Sequence, residues 1–160
     1  MFTRIPKMAK AVTSEALRQG FEEHMEQTKE HVRRLEKIFK ALDESPKGKK
    51  RVGMDGLLKE GSEVMEEDFE DAVLDAALIG AAQRVEHYEI AAYGTVCAFA
   101  NILGETQHAS QLQETLEEET KTDEKLTKLA TEINAQANEA SEETAEEATG
   151  KQKIRPRRVA

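Results

Sequence analysis

The sequence predicts an all-α protein built as a bundle of long helices, and three of its features support this prediction. Proline occurs only at Pro6, Pro46 and Pro156, so two long spans lack the residue that breaks helices. Within these spans apolar residues recur at steps of three and four, which is the period of one helix face. The 38% of hydrophobic residues suffices for one helical core but is low for a sheet-rich protein.

The first predicted helix is short, and the second is long. Residues 2–12 place Ile5, Met8 and Val12 on one face. The pair Thr13-Ser14 then offers an N-cap for a second helix that ends near residue 42. The inward face of this second helix contains the residues Leu17, Phe21, His24, Thr28, His31, Leu35 and Phe39. The middle of that face is therefore unusually polar.

A short helix is predicted around residues 54–65, between a basic turn-rich loop and an acidic connector. We expect it to form a crossover between two long helices. The third bundle helix spans residues 72–103 and is rich in alanine, which permits close approach of neighbouring helices. Gly104 follows it as the residue that closes the helix.

The fourth bundle helix is predicted over residues 107–135, and the composition changes after Asn138. Five glutamates precede Gly150 and a basic terminus, and large apolar residues are almost absent. The sequence therefore predicts a helical domain over residues 1–138 and a disordered charged tail over residues 139–160.

Charge and composition exclude several functional classes. The net charge of -9 and the pI of about 5.1 argue against nucleic-acid binding, which needs a basic surface. No run of about 20 apolar residues predicts a membrane span, and no secretory signal is recognisable. Cys97 is the single cysteine, so an internal disulfide is excluded and a packing role is expected. These features predict a soluble cytoplasmic protein.

The most informative feature is an interrupted apolar face on the fourth helix. Residues 112–130 keep the spacing of a buried face, but Glu119 and Asp123 occupy two of its positions. A buried carboxylate is costly unless it is neutralised, paired with a cation or bound to a metal. The sequence therefore predicts a functional or structural role for buried acids.

Other inward polar residues are expected at a similar level of the bundle. Glu86 and Glu89 lie on the inward side of the third helix, and His24 and His31 lie on that of the second. Carboxylates and imidazoles on facing helices are how di-iron and di-manganese proteins build their sites. The usual Glu-x-x-His spacing is absent from this face, so a buried network in which the histidines pair with the acids without metal remains an equal alternative.

Several neighbouring residues are given simpler roles. Glu118 is predicted to lie on a solvated face, and His87 is expected to be structural or exposed. Tyr88 and Tyr93 are interpreted as packing residues rather than redox partners of a metal. The buried face of the third helix is predicted to contain Leu78, Val85, Ala92, Val96 and Phe99.

The chain also resembles a known family. The run DAALIGAAQRVEHYEIAAYGT at residues 75–95 resembles the signature of the YciE/YciF family of ferritin-like proteins. The blocks HMEQT at 24–28, MDGLLKEG at 54–61 and TLEEE at 115–119 follow that family's pattern in the same order. The resemblance implies a ferritin-like four-helix bundle, homodimers, an association with stress and a di-metal centre, but no known reaction.

Carried over residue by residue, the resemblance implies an iron or manganese site. Its expected ligands are His24, Glu86, Glu89, Glu119 and Asp123. The chain departs from the pattern at Gln27, where some relatives have glutamate. Relatives also have a longer first helix, with an acidic residue before the segment that matches this chain. A truncated first helix cannot cover the third helix, so we expect a homodimer whose partner covers the groove.

Overall fold

The computed structural model of the chain describes residues 5–49 and 51–153, with side chains to Glu139 and at Glu142. The described residues form five helices and no strand, which confirms the all-α prediction. The helices are α1 (Ile5–Ala11), α2 (Glu15–Ala41), α3 (Val52–Val64), α4 (Asp71–Ile102) and α5 (Thr106–Lys153). The antiparallel α4 and α5 form the most extensive contact, and α2 packs on α5. Among the described helices, none combines the length and apolarity needed to cross a bilayer.

Two predicted helix boundaries are confirmed by their local hydrogen bonds. The side chain of Ser14 accepts a hydrogen bond from the Leu17 amide at 3.3 Å and so caps α2. After α4, Gly104 adopts a positive φ of 76°, and its amide donates to the Asn101 carbonyl at 3.1 Å. The next amide, of Glu105, donates to the Ala100 carbonyl at 2.9 Å. This pair of bonds satisfies carbonyls at the helix end and turns the chain into α5.

Asp75, a buried carboxylate of α4, fixes the turn between α1 and α2. Its Oδ1 accepts the Thr13 amide at 2.9 Å, and its Oδ2 accepts the Ser14 amide at 2.7 Å. The Thr13 hydroxyl donates to the same Oδ2 at 3.0 Å. Asp75 therefore supports the start of α2 with three hydrogen bonds and holds it against α4.

The apolar core has two parts, separated along the long helices. The first joins α1, α2, α4 and α5 and contains Ile5, Ala9, Val12, Leu17, Phe21, Leu78, Ile79, Ala82, Leu126 and Ile133. The second contains Ile38, Cys97, Ala100, Ala109 and Leu112. The predicted polar residues lie between the two parts, so apolar packing above and below shields them from water.

The predicted burial of Val96 and Phe99 on α4 is wrong. Their exposed fractions are 39% and 59%, and Ala92 is also exposed. At this end of α4 the face toward the neighbouring helices is formed by Cys97 and Ala100 instead. The two larger side chains consequently lie on the opposite, unpacked side.

Helix α5 is longer than the sequence predicts. Its backbone is helical to Lys153, past the expected end at residue 135 and into the segment expected to be disordered. This segment is rich in alanine and glutamate, which favour helix, and contains no proline before Pro156. The division into a domain and a tail stays a prediction, and residues 154–160 lie outside the described part.

Candidate metal centre

Three of the five predicted site residues meet in the interior. His24 of α2, Glu86 of α4 and Glu119 of α5 each present one ligand atom, and these atoms lie within 4.8 Å of one another. The exposed fractions of the three residues are 5%, 2% and 1%. Across the described residues this is the one group of three or more such side chains with the spacing of a metal site.

The His24 ring is oriented by both of its nitrogen atoms. Its Nε2 lies 3.3 Å from Glu86 Oε1, and its Nδ1 lies 3.5 Å from the hydroxyl of Thr122. Burial lowers the pKa of His24, because the cation is disfavoured away from water, and the charge of Glu119 opposes this only in part. The ring is therefore held as a neutral imidazole, the form that binds metal ions.

Three carboxyl groups at this level each have one buried oxygen without a hydrogen-bond partner among the described residues. These atoms are the Oε2 atoms of Glu86, Glu89 and Glu119. Burial, reinforced by the charge of Glu119, raises the pKa of Glu86 to about 10 and that of Glu89 to about 8. At neutral pH and without a cation, both carboxyl groups are therefore mainly protonated.

His31 links Glu119 to an outer carboxylate. Its Nδ1 lies 3.1 Å from Glu119 Oε1, and its Nε2 lies 2.9 Å from Glu118 Oε2. Burial alone would lower the pKa of His31, but the hydrogen bonds and charges of the two glutamates outweigh it and raise the pKa. His31 thus contributes to the cluster as a partner of acids and lies outside the group of three.

The prediction that Glu118 lies on a solvated face is wrong. The side chain is half-buried, and its oxygens accept two hydrogen bonds from the guanidinium of Arg34, at 2.5 and 3.0 Å. Arg34 is buried and also donates to the Thr115 hydroxyl at 2.9 Å. The Arg34 hydrogen bond lowers the pKa of Glu118. The sequence pattern alone does not single out Arg34 and Thr115, although Arg34 follows His31 by three residues and so shares its helix face.

The other two predicted ligands lie at the edge of the cluster. Glu89 is half-buried and lines a surface cleft. Asp123 accepts a hydrogen bond from Gln83 at 3.1 Å, and its second oxygen lies 3.4 Å from Nε2 of the exposed His87. When these two groups are ionised, their negative charge raises the pKa of Glu86 further. The structure thus separates an inner group of three from two outer acids.

The fold and the site define a class: an all-helical protein whose long helices enclose a cluster of carboxylates and imidazoles. The chain belongs to the family described as Domain of unknown function (DUF892), whose model matches residues 1–149. The resemblance to YciF-type proteins found in the sequence is thereby confirmed.

Individual relatives agree with this assignment. Protein YciF of Escherichia coli (strain K12) is 44% identical over 116 residues, which span 72% of this chain and 70% of YciF. The crystal structure of the E. coli stress protein YciF matches with a TM-score of 0.80 at 43% identity, covering 84% of this chain and 85% of that one. YcfI from Rhodopseudomonas palustris matches with a TM-score of 0.76 at 40% identity, covering 79% and 80% of the two chains.

Proposed function

We propose that this protein is a ferritin-like, stress-associated protein that binds iron or manganese in a helical bundle. In this proposal α2, α4, α5 and the short α1 form the four-helix bundle, and α3 is the crossover helix. His24, Glu86 and Glu119 hold the first ion, while Glu89 and Asp123 complete a di-metal centre. The observation that carries the proposal is the set of buried carboxyl oxygens that have no partner among the described residues.

The donor set suits the proposed ions. Carboxylate oxygen and neutral imidazole nitrogen are ligands that iron and manganese accept in proteins. A cation at this position would balance the charge of the buried carboxylates and so favour the ionised form of Glu86, which burial otherwise disfavours. When bound, such an ion supplies redox or Lewis-acid chemistry.

The residues around the donors would fix their orientation. His31 contacts Glu119 at 3.1 Å on one side and Glu118 at 2.9 Å on the other. Arg34 in turn holds Glu118 through both of its oxygens. Such a chain of hydrogen bonds orients a metal-binding carboxylate and limits its movement, as outer partners do in many metal sites.

The direct experiment is elemental analysis of protein purified without chelator. We expect iron or manganese in wild-type protein and its loss in Glu86→Gln and Glu119→Gln, which preserve shape but remove the charge. Glu117→Gln is the matched control, because Glu117 is exposed on α5 next to the site. Metal contents that are equal in all four proteins would contradict the site.

A second candidate function is that of a metal-free interaction protein. Two observations favour it. First, the histidines pair with the acids, at 3.3 Å for His24 and Glu86 and at 3.1 Å for His31 and Glu119. In addition, α4 ends in an exposed apolar face. A structural role has been suggested for the R. palustris relative YcfI. In this alternative the surface carries the function, and the buried network specifies the fold.

Under either function we propose that the exposed face of α4 forms a homodimer contact. The exposed fractions of Phe99, Ile102 and Leu103 are 59%, 81% and 75%. A contiguous apolar patch of this kind usually marks contact with another chain. Light scattering at micromolar concentration should show a dimer that Phe99→Glu dissociates. Val52→Glu, at an exposed apolar residue outside this face, is the control. A monodisperse wild-type monomer would refute the proposal.

A further inference from the structure

His87 and Asp123 lie at the outer edge of the candidate metal centre, where α4 meets α5. The Nε2 atom of His87 is 3.4 Å from Oδ2 of Asp123, and the two side chains are 68% and 19% exposed. We propose that these two residues form an entry site through which a divalent cation passes from solvent to the buried carboxylates. This inference rests on the proposed metal-binding function and adds a route to it.

The spacing of the two donor atoms suits a shared ion. Two donors that each lie about 2.1 Å from one ion, at right or tetrahedral angles, are roughly 3.0 to 3.4 Å apart. The distance of 3.4 Å between His87 Nε2 and Asp123 Oδ2 agrees with this range. Two protein donors hold an ion more weakly than a complete site does. Weak binding is what an ion in transit requires, because the ion must also leave.

The pair is continuous with the buried cluster. Glu119 lies one helical turn before Asp123 on α5, so the two side chains share a helix face. Glu86 directly precedes His87 on α4. The exposed fraction of the side chains falls from 68% at His87 through 19% at Asp123 to 1% at Glu119. Since Glu86 and Glu119 each have a buried oxygen without a partner among the described residues, an ion that moves inward meets further acceptors.

Asp123 is oriented by a neutral neighbour rather than by a cation. Its Oδ1 accepts a hydrogen bond from the Gln83 amide at 3.1 Å, and the same amide donates to the Thr127 hydroxyl at 2.9 Å. No lysine or arginine in the described part of the chain forms an ion pair with Asp123. Arg84, one turn before His87, is exposed, so solvent and salt screen its charge. The negative charge of Asp123 therefore remains available to an ion from solvent.

The other approaches to the cluster suit a cation less well. On the side of His31, the guanidinium of Arg34 is buried against Glu118. The cleft at the start of α3 is lined by both Arg51 and Asp55, whose charges offset each other. A pocket between α1, α3 and the long helices reaches the cluster through mainly apolar walls, which disfavour a charged ion. The surface between α4 and α5 is thus the approach that offers metal ligands.

The test measures the rate and the equilibrium of Co²⁺ binding to the chelator-treated full chain. Co²⁺ is the probe because its visible absorption changes when protein ligands replace water. His87→Gln keeps an amide that can donate to Asp123 but removes the imidazole. We expect its association rate constant, measured by stopped flow, to fall about tenfold, because local capture of the ion is lost. Dissociation should slow by the same factor, since ions leave by the same route, so the affinity and the number of ions bound should not change.

Matched variants separate an entry role from other roles. His87→Glu supplies a different ligand and should restore rapid association. His108→Gln makes the same chemical change as His87→Gln at the start of α5, away from the route, and should bind Co²⁺ at the wild-type rate. Circular dichroism verifies that each variant folds.

The outcomes distinguish the route from the metal centre. A wild-type association rate in His87→Gln would overturn the entry site and leave the centre intact. A loss of affinity in this variant would also overturn it, because His87 would then belong to the centre itself. Absence of Co²⁺ binding to wild-type protein would refute the proposed centre, and the route with it.

Discussion

Substitution of Glu86 by glutamine should change how the stability of the metal-free protein depends on pH. The folded-state pKa of Glu86 is raised by burial to about 10, from 4.5 for an unperturbed glutamate. The folded state therefore retains a proton that the unfolded state loses above pH 4.5. As a result, the free energy of unfolding falls as the pH rises from 4.5 toward 10. Glutamine resembles the protonated carboxyl group and cannot ionise, so Glu86→Gln removes this penalty.

The expected magnitude follows from the same pKa. Each pH unit between the unfolded and folded pKa values costs about 1.4 kcal/mol, so the interval from pH 4.5 to pH 7 corresponds to about 3 kcal/mol. The stability of Glu86→Gln relative to wild type should rise by about that amount across this interval. Relaxation of the protein around an ionised Glu86 makes this stability difference smaller but does not change its sign.

Urea unfolding of chelator-treated protein at several pH values measures this difference. Glu117→Gln makes the same chemical change at an exposed position and should follow the wild-type profile. Parallel profiles for wild type and Glu86→Gln would refute the reasoning, because they would show that Glu86 does not carry a raised pKa in the folded protein.

Two further predictions concern stability away from the site. Asp75→Ala leaves two backbone amides at the start of α2 without their acceptor and should lower the free energy of unfolding by about 3 kcal/mol, measured in urea. Asp68→Ala in the exposed connector should have little effect, and equal losses in both variants would count against the capping role of Asp75. Truncation after Asn138 should leave the melting temperature unchanged, because the removed sequence offers almost no large apolar side chain to the core. A decrease of several degrees would show that the removed residues pack on the bundle.

Much of the fold follows from the sequence because helical periodicity is a local signal. The predicted helix start at Thr13-Ser14 and helix end at Gly104 are both confirmed, since caps depend on a few adjacent residues. The site was partly predictable for a related reason: Glu119 interrupts an apolar face, and an acid at such a position is buried whatever the details of packing.

The errors arise where the outcome depends on neighbouring helices. Periodicity identifies the apolar faces of α4, but it does not show that Cys97 and Ala100 face the other helices while Phe99 is exposed. The sequence predicts a solvent-exposed Glu118 because this residue lies beside the inward face of α5. It is half-buried because Arg34, on a different helix, is long enough to reach it.

The most direct test of the proposed metal site is calorimetric titration of chelator-treated protein with Mn²⁺ at pH 7, repeated in buffers with different ionisation enthalpies. The comparison gives the number of protons released on binding. We expect saturable binding with release of about one proton or more, because Glu86 and Glu89 are mainly protonated without metal. The double variant Glu86→Gln/Glu119→Gln should not bind. Two results would contradict a buried metal centre. One is that wild-type protein does not bind Mn²⁺, and the other is that it binds Mn²⁺ without releasing protons and the double variant binds equally.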